Sequence, residues 1–122
     1  MAYDSNNVFA KILRGEIPNS TVYEDDEVLA FHDLNPQAPV HVLVIPKGEY
    51  VSMDDFSKDA PPEVIARFFA AVGRIARELG LDEPGYRLLA NCGAHGGQEV
   101  PHFHVHVFGG RPLGRMIARE RA

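Results

Sequence analysis

One stretch of seven residues limits the folds open to this chain more than any other: His102-Phe103-His104-Val105-His106-Val107-Phe108. Side chains two apart on a β-strand point to one face. An extended chain here therefore carries three imidazoles on one wall and sends Phe103, Val105 and Val107 into a core on the other. Gly109 and Gly110 end the run, so the segment reads as a strand from His102 to Phe108.

The remaining elements supply neighbours for that strand. Val8, Phe9, Ile12 and Leu13 recur at helical spacing until Gly15 and Pro18, which predicts a short N-terminal helix. Thr21–Tyr23 and Val28–His32 read as a hairpin around the polar turn Asp25-Asp26-Glu27. Asn35–Pro39, with its prolines, is a loop, and His41–Ile45 is a central strand stopped by Pro46. Ser57–Glu63 reads as the start of the main helix, with Asp59 as N-cap, Pro61 or Pro62 in the first turn and Gly80 closing it. Val64, Ile65, Phe68, Phe69, Val72, Ile75 and Leu79 form its apolar stripe, opposite Arg67, Arg74, Arg77 and Glu78. Tyr86–Ala90 is a further apolar run. The expected architecture is α+β: an antiparallel five-stranded sheet with one main helix and a short N-terminal helix.

Composition narrows the function. At 122 residues the chain suits one domain, 1–122, with a core over about 8–111 and a C-terminal tail over 112–122. A formal charge of −5 argues against broad nucleic-acid binding, which needs a basic surface. No apolar run spans a bilayer and no secretory leader opens the chain, so no membrane partner and a cytoplasmic location are expected. One cysteine, Cys92, makes neither an internal disulfide nor a thiolate zinc site and reads as a packed thiol.

Three imidazoles on one wall fit two chemistries. His102, His104 and His106 with an open fourth position match the ligand set of some catalytic zinc sites, and spacing alone does not decide. The neighbourhood favours phosphate. Asn91-Cys92-Gly93-Ala94-His95-Gly96-Gly97-Gln98-Glu99 leads directly into the triplet, and its glycines free backbone N–H groups to form an anion cradle. No cluster of carboxylates near the triplet suggests a magnesium site, and neither metal nor cofactor is expected. His32 and His95, taken singly, read as structural histidines.

These residues resemble the histidine-triad family, whose signature is His-x-His-x-His followed by two apolar residues, here Val107 and Phe108. Phe31-His32-Asp33-Leu34, Pro36-Gln37-Ala38-Pro39, His41 with Leu43-Val44-Ile45-Pro46, Gly85-Tyr86-Arg87, Gly96-Gly97-Gln98 and Gly109-Gly110-Arg111 resemble segments of its Hint branch in the same order. Coverage runs from about Val8 to Arg111. Phe103 and Val105 stand where the galactose-1-phosphate uridylyltransferase branch puts a proline.

The resemblance implies a homodimer whose sheets join into one, and hydrolysis of purine nucleoside 5'-phosphoramidates, conjugates of AMP or GMP with an amine. It places His104 as nucleophile, with His106, His41 and His102 as the other histidines of the site. Asp33 and Leu34 match positions that hold ribose and base; Asn91, Gly97, Gln98 and Glu99 match phosphate-side contacts. Glu99 replaces a phosphate-contacting Ser, which leaves its backbone N–H as the donor, and Pro101 replaces a common aromatic. Chemically, a neutral imidazole attacks phosphorus when its other nitrogen donates to a fixed acceptor. A nucleotidyl-histidine intermediate follows, His106 is placed by spacing to protonate the departing amine, His41 orients the site and His102 supports it.

Two alternatives accompany this reading: a Fhit-like dinucleoside polyphosphate hydrolase, and a nucleotide-responsive binding module with weak hydrolase activity. Small residues Ala70, Gly73 and Ala76 on the main helix suit close approach of a second subunit. In the tail, Arg111, Arg115, Arg119 and Arg121 accompany Leu113, Met116 and Ile117 at helical spacing, which predicts a docked apolar face. By resemblance, the tail lies near the partner's active site and helps select the leaving group.

Overall fold

The computed structural model describes residues 2–120. Its elements are α1 (Val8–Leu13), β1 (Thr21–Glu24), β2 (Val28–His32), β3 (Val40–Pro46), α2 (Met53–Asp59), α3 (Pro62–Glu78), β4 (Arg87–Leu89), α4 (Gly93–Gly96) and β5 (Val105–Gly109). The five strands form one antiparallel sheet in the order β1-β2-β3-β5-β4. No helix among the described residues is long and apolar enough to cross a membrane.

Strand alternation sorts the side chains onto two faces. Val28, Ala30, Val42, Val44, Val105 and Val107 join Phe68, Val72 and Ile75 of α3 in the main core. Phe56 of α2 stacks on Phe103 there, with ring centroids 4.7 Å apart. Leu29, Phe31, Leu43 and Ile45 cover the opposite face with Phe9 of α1. His41, His104 and His106 share that second face.

Five expectations change in the structure. Helical chain begins earlier than Ser57, at Met53, because Ser52 and Asp55 cap each other's backbone in a capping box. Asp59 ends that helix instead of capping the next; α3 starts at Pro62 behind Pro61, which makes no side-chain cap. The prolines are the cause. Ala60 and Pro61 each precede a proline and are extended, with ψ of 145° and 141°, as the following pyrrolidine ring demands.

Strand β5 begins at Val105, three residues later than expected, because the ladder to β3 stops at the Val44–Val105 pair. The Phe103 N–H donates to the Tyr50 carbonyl at 2.7 Å instead. His102–His104 thus approach as a separately anchored segment. Cys92 is exposed, at the N-terminal edge of the one-turn α4, and is not a packed thiol. No helix forms in the described part of the tail, and Met116 and Ile117 are 85% and 77% exposed, so the expected apolar face is not docked. Arg87 holds this stretch by its backbone, donating to the carbonyls of Gly114 (2.8 Å) and Arg115 (3.2 Å). Arg121 lies outside the described residues.

Candidate active site

A cleft of about 210 Å³ opens on the α1 face of the sheet, lined by Phe9, Asp33, Asn35, Gln37, His41, Leu43, Asn91, Gly97, Glu99, Val100, His104 and His106. A larger recess of about 540 Å³ lies by Pro84–Arg87 and Gly110–Leu113 but is lined by no histidine, cysteine or carboxylate. Chemistry, not volume, singles out the smaller one.

Hydrogen bonds define the protonation pattern, as carbonyls only accept and backbone amides only donate. His104 Nδ1 lies 2.7 Å from the His102 carbonyl, so Nδ1 carries the proton and Nε2 the lone pair. The Gln37 N–H donates to His41 Nδ1 at 3.2 Å, which leaves the His41 proton on Nε2. That proton is donated to His106 Nδ1, 2.9 Å away, so His106 carries its own on Nε2. His41 Nε2 is also 3.5 Å from Asp33 Oδ2. Asp33, His41 and His106 form a line from a carboxylate to an imidazole whose ring centroid lies 5.0 Å from that of His104.

Burial holds these rings neutral. It is the largest influence lowering the pKa of His102, His104 and His41, the last against the opposing pull of Asp33. His106 falls furthest, from 6.5 to about 4, through burial first and then the nearness of His104 and His41. Aromatic packing fixes the planes: His106 stacks on Phe108 at 5.5 Å and 3°, and Phe9 meets His104 edge-on at 4.9 Å.

The three alternating histidines do not converge on one point. His102 is fully buried behind His104 and outside the cleft lining, with Nε2 on the Pro46 carbonyl at 2.8 Å and Nδ1 on the Tyr3 hydroxyl at 2.6 Å. Both its nitrogens are committed, so it has no atom left for a shared zinc ion. The set that could hold a metal is instead Asp33, His41 and His106, whose ligand atoms lie within 4.8 Å of one another. An ion there must first displace the proton joining His41 to His106.

The glycine-rich loop also differs from a simple cradle. Gly97 adopts φ 78°, closing α4, and its N–H and that of Gln98 bond back to Ala94 and Gly93. The Gln98 amide braces the loop, donating to the carbonyls of Val51 (2.6 Å) and Val100 (3.0 Å) and accepting from the Gly93 N–H. Gln98 is therefore outside the lining, while Asn91, Gly97 and Glu99 are in it. The Glu99 N–H has no partner among the described residues. Leu34, 86% exposed, stands outside the lining beside Asp33. Phe9, Asn35, Gln37, Leu43 and Val100 line the cleft without having been singled out; Phe9 and Leu43 read only as core residues, and Gln37 only as part of a proline-rich loop.

Comparison with known proteins bears on this geometry. Residues 14–113 match the HIT domain. The chain is 63% identical over 117 residues to an uncharacterized 13.2 kDa HIT-like protein of Azospirillum brasilense, covering 96% of each chain. It is 46% identical over 113 residues to the purine nucleoside phosphoramidase of Escherichia coli, covering 93% of this chain and 94% of that one. A histidine triad protein from Clostridium difficile superimposes with a TM-score of 0.85 at 44% identity, over 95% of this chain and all of the other. With a domain match spanning most of the sequence and kinship this strong along whole chains, the protein belongs to the HIT domain family.

Proposed function

We propose that this protein is a nucleotide hydrolase that cleaves purine nucleoside 5'-phosphoramidates, with His104 as its nucleophile. The observation that carries the reading is the tautomer of His104: its Nδ1–H is held by the His102 carbonyl, which leaves the Nε2 lone pair for attack. The Escherichia coli relative supplies the substrate class.

His104 Nε2 attacks phosphorus and the P–N bond breaks. The amine leaves with its electron pair and collects a proton from His106. At rest His106 is neutral, with its pKa near 4. A bound phosphate anion offsets that burial penalty and draws a proton onto the ring, with Asp33 supporting the charge through His41. Water then attacks the nucleotidyl-histidine, His106 takes back a proton, and the nucleoside monophosphate departs with His104 restored. Asn91 and the Glu99 N–H hold the phosphate; Asp33 and Leu34 hold the nucleoside. Gln98 and His102 serve from behind, as brace and anchor.

We further propose a homodimer. Leu88, Tyr86 and Phe69 are 45%, 40% and 38% exposed, and β4 leaves one sheet edge unpaired. Ala70 lies exposed and Gly73 half-buried on α3, whereas Ala76 is fully buried against the chain's own core.

The test is turnover of an AMP–amine conjugate beside a diadenosine polyphosphate, by the native protein and His104→Ala. Native protein prefers the conjugate, and the variant loses turnover while still binding AMP. A near-native rate in the variant refutes the nucleophile; preference for the polyphosphate moves the protein to the Fhit-like class.

A further inference from the structure

Tyr3 stands far from the histidine segment in sequence and meets it in space. Local hydrogen bonds bring it there. Asp4 makes an Asx turn with the Asn6 N–H at 2.9 Å and accepts the Asn7 N–H on its carbonyl at 3.2 Å. Asn7 in turn caps α1, accepting from the Ala10 N–H at 2.9 Å. The turn thereby sets Tyr3 beside the start of a helix whose Phe9 packs on His104.

Tyr3 meets the His102 ring edge-on, with centroids 5.6 Å apart and an interplanar angle of 71°. Its hydroxyl lies 2.6 Å from His102 Nδ1. The opposite nitrogen, Nε2, donates to the Pro46 carbonyl at 2.8 Å, so Nδ1 is an acceptor and the hydroxyl donates to it. His102 is thus pinned at both ends, between the end of β3 and the N-terminal segment. The same residue's carbonyl receives the Nδ1–H of His104. This anchoring matters because His102–His104 lie outside the β-ladder: one backbone bond, from the Phe103 N–H to the Tyr50 carbonyl at 2.7 Å, holds the peptide that carries the carbonyl, and the pinned His102 ring supplies its second hold.

We propose that Tyr3 is a positioning residue for the nucleophile: by holding His102 Nδ1 it fixes the carbonyl that keeps the His104 proton on Nδ1 and the lone pair on Nε2. The proposal rests on the reading of His104 as nucleophile. Without the hydroxyl, a fully buried imidazole nitrogen loses its partner, His102 gains freedom to rotate, and part of the His104 population moves its proton to Nε2. That fraction cannot attack. Substrate affinity is unaffected, because neither Tyr3 nor His102 lines the cleft.

The experiment is Tyr3→Phe, which retains the ring packing and removes only the hydroxyl. Its steady-state kinetics on an AMP–amine conjugate are combined with ¹⁵N NMR of the histidine rings. The expected result is a kcat about tenfold lower with KM within about twofold, the scale set by stranding one buried acceptor. Signals from His104 move toward the Nε2–H tautomer in parallel. A native kcat, a loss confined to KM, or a lower kcat with unchanged His104 tautomer each overturns the proposal. Should the variant fold poorly, the native protein still decides: a proton found on His102 Nδ1 rules out donation from Tyr3. If His104→Ala retains activity, the nucleophile assignment has failed instead, and the two failures are distinguishable.

Discussion

Acid should destabilise this protein through the histidines of its cleft, and His106 allows the size of the effect to be worked out. Burial beside His104 and His41 lowers its pKa from 6.5 to about 4. The folded-state pKa is the depressed one, so the neutral ring's stabilising contribution is intact above 6.5 and is lost as pH falls toward 4. Between those limits the unfolded chain binds a proton that the folded chain excludes. At about 1.4 kcal/mol per pH unit, a descent to about pH 4.5 costs roughly 2.5 kcal/mol, a large share of the ~5–15 kcal/mol stability typical of a small domain. Acidic groups begin to lose stabilisation at the acid end of this range: Glu27, for one, is held below its ordinary value of 4.5 by its hydrogen bonds to Arg67. The measurement is therefore a difference of differences. Urea unfolding of native protein and His106→Asn, at fixed protein concentration and at about pH 7.5 and 4.5, separates the ring from the carboxylates. Asn keeps an acceptor for the His41 N–H but does not titrate. The native protein should lose about 2 kcal/mol more than the variant. Equal acid losses in the two proteins refute the claim that burial of His106 excludes a proton.

Further outcomes follow from the same geometry. Since burial lowers the His104 pKa, the acid limb of kcat/KM on an AMP–amine conjugate should fall below pH 6.5, where protonation occupies Nε2; a midpoint above 6.5 contradicts this. Phe103→Ala removes a ring stacked on Phe56 in a 1% exposed site and should cost about 3–5 kcal/mol in urea unfolding, whereas a loss under about 1 kcal/mol means that the aromatic core collapses around the gap. Light scattering at micromolar concentration should give a dimer, and Leu88→Glu a monomer; a monomeric native protein removes the proposed interface.

Strand alternation, a local property of the backbone, predicts one wall for His102, His104 and His106; His104 and His106 do share the cleft, but the strand begins only at Val105 and His102 is buried behind them. The N-terminal helix, the hairpin and the central strand were legible for the same reason: apolar spacing and the prolines and glycines that bound it. The capping box Ser52–Asp55 is equally local, but in the sequence the apolar stripe of α3 outweighs it and shifts the expected helix start to Ser57. What sequence could not decide is which nitrogen of each ring carries its proton. That depends on Pro46 and Tyr3, which chain folding brings to His102 from distant parts of the chain, and on how the nearby Gln37 N–H and His102 carbonyl are turned toward His41 and His104. Strand alternation by itself leaves His102 and His104 equivalent, and only the family resemblance gives them different roles; the structure shows the physical difference, since one has both nitrogens bound in the interior and the other has its free nitrogen in a cleft. Long-range packing assigns the tautomers because the forms of a neutral imidazole differ little in energy until a fixed donor or acceptor is set against one nitrogen.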